Sequence, residues 1–166
     1  MKWLRTLGQG LAGLALLGAA AFFAPRFVHD GPIGPIPGGP LRAGELFSFP
    51  VSDWSFAADV KEVELQLASQ SISRTTWILV HEGAAYLPCS LGFPPGKSWY
   101  RDAEADGRAL LRIAGRRYAV TLARDDDPGL AEFARGEVTR KYGSAPPSGG
   151  GVMFFALSSR AAAEGE

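Results

Sequence analysis

The side chains best equipped for chemistry fall between positions 74 and 100. Arg74, Thr75 and Thr76 run into Trp77; Ser90 and the loop 92–97, ending in Lys97, follow and lead into Trp99 and Tyr100. Arginine offers a bidentate fork to a phosphate, and hydroxyls with loop amides complete its shell. Aromatic rings beside such donors can flank a planar ring. A plainer reading competes: Trp77, Trp99 and Tyr100 belong to a core, and Arg74 is a surface charge.

The other chemistry-bearing residues form no catalytic set, and they name no catalytic residue. No Ser lies in a G-x-S-x-G elbow and no Walker-type loop is present. His81 ends a strand beside a turn, where a solvated or cross-strand imidazole is expected. Asp125, Asp126 and Asp127 lack the spacing and closing Glu of a calcium loop, so they read as a turn and helix cap. The lone Cys89 has no His–Asp partners nearby and reads as a free buried thiol. With one Cys and two His in 166 residues, no metal site is expected. Lys+Arg and Asp+Glu both number 17, which argues against a nucleic-acid binder. Hydrophobic residues at 46% suffice for a packed core.

These residues need a scaffold, and alternation supplies strands. In 62–67, Val63, Leu65 and Leu67 share one face. Residues 74–81 have strong strand composition, Glu82-Gly83 turns, and 85–89 returns. A second hairpin joins 110–113 to 116–123 through Ala114-Gly115, and 152–158 is a last strand. Residues 53–57 start a helical turn whose aromatics plug one end of the core. A short helix is expected over 97–105. Asp127 before Pro128 caps another, with Leu130, Phe133, Ala134 and Val138 on one stripe and Gly143 as its stop. The order predicts a small antiparallel barrel with peripheral helices.

Ahead of the barrel, residues 7–24 carry Gln9 as their only strongly polar side chain. As a helix this run is about 27 Å long, close to a bilayer's hydrocarbon thickness. Lys2 and Arg5 precede it, which predicts a cytoplasmic N-terminus and a domain on the periplasmic side. A cleaved signal peptide is the competing reading. Residues 31–40 are eight-tenths Gly and Pro and read as an extended spacer without helix or ladder. The expected organisation is an anchor over 1–29, a spacer over 30–44, a folded domain over 45–160 and a disordered tail over 161–166.

From about Arg74 to Gly143 the chain resembles the flavin-binding split-barrel superfamily, which includes pyridoxamine-phosphate oxidases. It is most similar to the deazaflavin-dependent nitroreductase branch. The residues carrying this are Lys97-Ser98-Trp99-Tyr100-Arg101-Asp102-Ala103, the two strands around Ala114-Gly115-Arg116-Arg117-Tyr118, and the closing Met153-Phe154-Phe155-Ala156-Leu157 with Arg160. The resemblance implies a mainly β (α+β) antiparallel split barrel, often a homodimer, holding FMN or a deazaflavin. Its phosphate would meet Arg74, Thr76, Ser90 and Lys97, and its ring Trp77, Trp99 or Tyr100. The chemistry implied is hydride transfer to a small organic substrate. Two further readings stand beside it: a cofactor-free envelope binding module of the same fold, and a haem-binding barrel with His81 as axial ligand.

Overall fold

In the computed structural model, which describes residues 13, 18, 29–143 and 151–161, the strands form one sheet. They are β1 (Leu46–Phe47), β2 (Glu62–Leu67), β3 (Ser73–Trp77), β4 (Leu79–His81), β5 (Ala84–Ser90), β6 (Arg108–Ile113), β7 (Arg116–Asp125) and β8 (Val152–Ser159). The helices α1 (Trp99–Ala105) and α2 (Pro128–Tyr142) accompany them. Alternation builds the interior: Val63, Leu65 and Leu67 of β2 meet Ala109, Leu111 and Ile113 of β6, then Tyr118, Val120 and Leu122 of β7. Full burial of Leu65, Leu111 and Phe155 contributes about 1.5–3 kcal/mol each.

The sheet runs β3-β2-β6-β7-β8-β5-β4, all antiparallel, with β1 parallel beside β7. Its first and last strands are separated only by Ile78, so they are one extended run. A sheet that begins and ends on the same run is a closed barrel, here of six strands. The run expected over 74–81 therefore changes partner at Ile78. Before it, β3 pairs with β2 (Trp77 opposite Glu62); after it, β4 pairs with β5 (Leu79 opposite Tyr86). The wall is open between β3 and the far half of β5, where Pro88 has no N–H to give to a ladder. That seam is the split.

The end of α2 fastens the corner. Asp127 Oδ1 accepts from Gly129 N at 2.8 Å, and Gly143 closes the helix at φ 77°. Leu130, Ala134 and Val138 pack on Leu79 and Phe154, outside the barrel. Lys141 donates to the carbonyls of Val60 and Ile78, both at 2.9 Å. The hairpins carry the positive φ of primed turns at Glu82-Gly83 and Ala114-Gly115. The turn at 53–57 is a 3-10 turn, Ser55–Ala57, which buries Trp54 and leaves Phe56 exposed.

The Gly/Pro run corrects an expectation. Instead of standing off as an extended spacer without ladders, residues 31–39 form a strap against the barrel. Gly38 bridges Ser73 on the free edge of β3, and Ile33 bridges Ile36. Glycine is required there, because a Cβ on Gly38 would sit 1.6 Å from the Gly31 carbonyl oxygen. Asp30 holds the strap down: it accepts from the amides of Arg42 and Ala43, at 2.6 and 3.1 Å, and pairs with Arg112 at 2.7 Å. Arg112 also pairs with Glu64. Short β1 was not expected either, and α1 starts at Trp99 rather than at Lys97. Among the described residues no helix is long and apolar enough to cross a membrane. The expected anchor over 7–24 lies outside them apart from Gly13 and Gly18, as does the tail beyond Ala161.

Candidate functional site

Alternation along β3 decides where its side chains go. Arg74 faces Leu65 and Thr76 faces Val63, so both belong to the interior side; Thr75 and Trp77 belong to the outer side. On β5, Ala85, Leu87 and Cys89 are buried inward, while Tyr86, Pro88 and Ser90 alternate outward. The seam brings Thr75, Thr76, Trp77 and Ser90 onto one groove of about 340 Å³. Phe93 and Pro94 form another wall, and Gly34 and Pro35 of the strap a third. Thr75 Oγ1 donates to the Gly34 carbonyl at 2.6 Å and ties strap to strand. Glu62 also lines the groove and repels an anion at its own position.

Arg74, Lys97, Trp99 and Tyr100 do not line this groove. The Arg74 guanidinium lies 5.5 Å from the Trp99 ring centroid and donates from Nη2 to Gln70. Gln70 in turn donates to Asp102 at 2.6 Å. Burial pushes the Arg74 pKa down to about 10, against the opposing pull of Asp102 and Cys89, so the group is cationic at neutral pH. Burial raises the Cys89 thiol, although Lys97 and Arg74 pull the other way; it is a neutral thiol. Lys97 Nζ donates to the Phe93 carbonyl at 2.7 Å, which anchors the loop that walls the groove.

Thus Thr76, Trp77 and Ser90 share a cavity, with Arg74 behind it. Two side chains depart from the ring contacts expected of them. Trp99 is 6% exposed and packs on Phe155 at 5.6 Å, so it is core. Tyr100 packs against that core under the Arg101 guanidinium, 5.6 Å away. The outer ring Trp77 is stacked on Tyr142 at 3.8 Å and 10°, so one of its faces is taken. His81 lies against Phe133, with centroids 4.1 Å apart, and does not line the groove. Sequence reasoning missed Gln70 and Asp102, which position Arg74, and the strap residues Gly34 and Pro35. No local pattern marks them, since each reaches the site only through the closing of the barrel.

Two polar atoms at this seam lack partners. Among the described residues, the buried side-chain nitrogens and oxygens without a hydrogen bond are Arg74 Nε and Ser90 Oγ. Buried polar groups are paired in folded proteins with few exceptions, and each exception asks for a reason. Both are donors, and one belongs to a cation, so the donor set suits a phosphate. The residues present therefore fit a phosphate-bearing ligand in the seam.

No protein-family model matches this chain, and no curated protein matches it. Among solved structures, it is similar to one from Listeria innocua assigned as a pyridoxamine 5′-phosphate oxidase. That likeness has a TM-score of 0.43 and 13% identity over 60% of this chain and 82% of the other. It is also similar to a NimC/NimA family protein from Clostridium acetobutylicum, with a TM-score of 0.44 and 15% identity over 61% and 74%. The barrel described above rests on strand register, not on these likenesses.

Proposed function

We propose that this chain is a flavin-binding split barrel, an oxidoreductase of the type that moves a hydride to a small organic substrate. The cofactor is FMN or a deazaflavin, seated in the seam between β3 and β5. What supports the reading is the pair of unpartnered buried donors, Ser90 Oγ at the groove and Arg74 Nε on the interior side behind it. Arg74, Ser90 and Thr76 would hold the phosphate, and Trp77 and Phe93 would bound the ring. A bound flavin supplies the hydride chemistry. The chain's own part is to bind, to orient and to exclude water, with Lys97 fixing the loop that carries Phe93. The groove's volume, about 340 Å³, lies at the low end of small-molecule sites, which span roughly 300–1,000 Å³. A second copy closing over Phe93 is part of the proposal, as is an N-terminal anchor that places the barrel on the periplasmic side.

Two observations favour a second reading, a cofactor-free binding module. Trp77 already stacks on Tyr142, and Arg74 already engages Gln70 and Trp99, so part of the ring-binding and anion-binding capacity is spent internally. The haem reading has no such support, because His81 lies off the groove. An absorbance spectrum of the purified full chain, alone and after adding FMN or a deazaflavin, separates the two. The oxidoreductase reading expects a flavin band that survives gel filtration. A colourless protein that retains neither cofactor overturns it. A reporter active only outside the cytoplasm, fused after Glu166, tests the anchor; activity only inside the cytoplasm reverses the orientation.

A further inference from the structure

A second cavity adjoins the seam. It measures about 310 Å³ and lies between α2 and the outer face of the sheet. Its walls are Ala131, Ala134 and Val138 from the helix and Pro88, Val152 and Phe154 from the strands. Trp77 and Ser90 form the ridge it shares with the seam groove. Ala134 is buried against the sheet and Ala131 stands at the exposed edge, and both side chains are too small to fill the gap between helix and sheet. At the rim stands Arg135. On the same helix Arg140 pairs with Glu137 and Asp59, and Lys141 lies near Glu137. Arg135 has no acidic partner among the described residues, so the cavity is an open apolar groove with a cation at its mouth that no described acid pairs.

We propose that this cavity binds a small apolar acid: an aromatic or branched aliphatic body against the alanines and Phe154, with its carboxylate on Arg135. The charge at the rim selects an anion over a neutral molecule of the same shape. The site needs no cofactor, so it stands whether or not the seam holds a flavin. Contiguity across Trp77 and Ser90 places it where a substrate or effector would meet a seam ligand.

The test is a calorimetric titration of the full chain with 1-naphthoate and with its neutral twin 1-naphthamide, a detergent-only blank being subtracted. Saturable naphthoate binding is expected, tighter than the amide by about three- to tenfold at low salt, with the gap shrinking as salt is added. Arg135→Gln should bring naphthoate to the level of the amide and leave the amide unchanged. Ala131→Leu, at an exposed helix position lining the cavity, should weaken both probes. Neither variant should alter an FMN titration, which keeps this proposal separate from the seam. Equal affinity for acid and amide, no saturable binding of either, or insensitivity to Ala131→Leu overturns it.

Discussion

Replacing Lys141 with Met isolates what holds the barrel's corner. The lysine side chain is 2% exposed, and its ammonium donates to the carbonyls of Val60 and Ile78, both at 2.9 Å. Ile78 is where the closing run changes partner, so this bond stands in for ladder pairing. Met keeps the apolar stem and leaves both carbonyls without that donor. An unpaired buried acceptor costs about 1–3 kcal/mol, and releasing a buried ammonium returns part of the loss. The expected net cost is about 2–3 kcal/mol. Urea unfolding, followed by tryptophan fluorescence, reads it as a lower midpoint at an unchanged slope. The pH dependence gives a second readout. Burial holds the Lys141 pKa below the usual lysine value of 10.5, with Arg140 adding to this and Glu137 opposing it. The unfolded chain therefore binds that proton more tightly, and the charged lysine costs stability below its lowered pKa. The cost is relieved as pH rises from there toward 10.5, so the gap between wild type and Lys141→Met widens over that window. The raised pKa of Tyr142 affects both proteins alike and cancels in the difference. A midpoint shift worth less than about 0.5 kcal/mol would refute the corner's dependence on this residue.

Other perturbations test the surrounding parts. Asp30→Asn should cost about 1–2 kcal/mol by loosening the strap. Burial raises the Asp30 pKa, but hydrogen bonds from Arg42, Arg112 and Ala43 outweigh it and hold the carboxylate below its usual 3.8. Wild type should then lose this contribution as pH falls below 3.8 through the lowered value, and an acid titration of Asp30→Asn should be flatter. Asp127→Ala removes the cap of α2 and Gly143→Ala strains its left-handed stop; each should lower the thermal midpoint by the equivalent of about 1 kcal/mol. Cys89, 1% exposed with a raised thiol pKa, should resist a disulfide-exchange reagent at pH 8 until urea is added. Rapid reaction in the folded protein would contradict its burial.

Local patterns made most of the barrel legible. The alternation of Val63, Leu65 and Leu67 marked β2, the Ala114-Gly115 pair marked a hairpin, and Asp127-Pro128 with Gly143 bounded α2, because each signal lies within a few residues of the structure it specifies. Closure was not legible in that way. Nothing near Ile78 says that its strand leaves β2 for β5; that is settled by Pro88 and by Lys141, ten and 63 positions away. The strap shows the same limit. Composition suggested a solvated spacer, but Gly38 and Gly31 pack at a distance only glycine allows, and Asp30 finds Arg112 at 82 positions' separation. In the candidate site, strand composition and the Glu82-Gly83 turn put Thr76, Trp77 and Ser90 on or beside two neighbouring strands. Neither could show that Trp99 turns into the core, or that Gln70 and Asp102 complete Arg74's surroundings.

The most direct test of the seam as a phosphate-bearing cofactor site is an equilibrium titration of the full chain with FMN and with riboflavin, read by flavin fluorescence, for wild type and Ser90→Ala. Loss of the riboflavin-distinguishing phosphate contact, or of the serine hydroxyl, should weaken binding by about tenfold each, and Ser90→Ala should narrow the preference for FMN. Equal affinity for the two flavins, or FMN binding untouched by Ser90→Ala, contradicts the account.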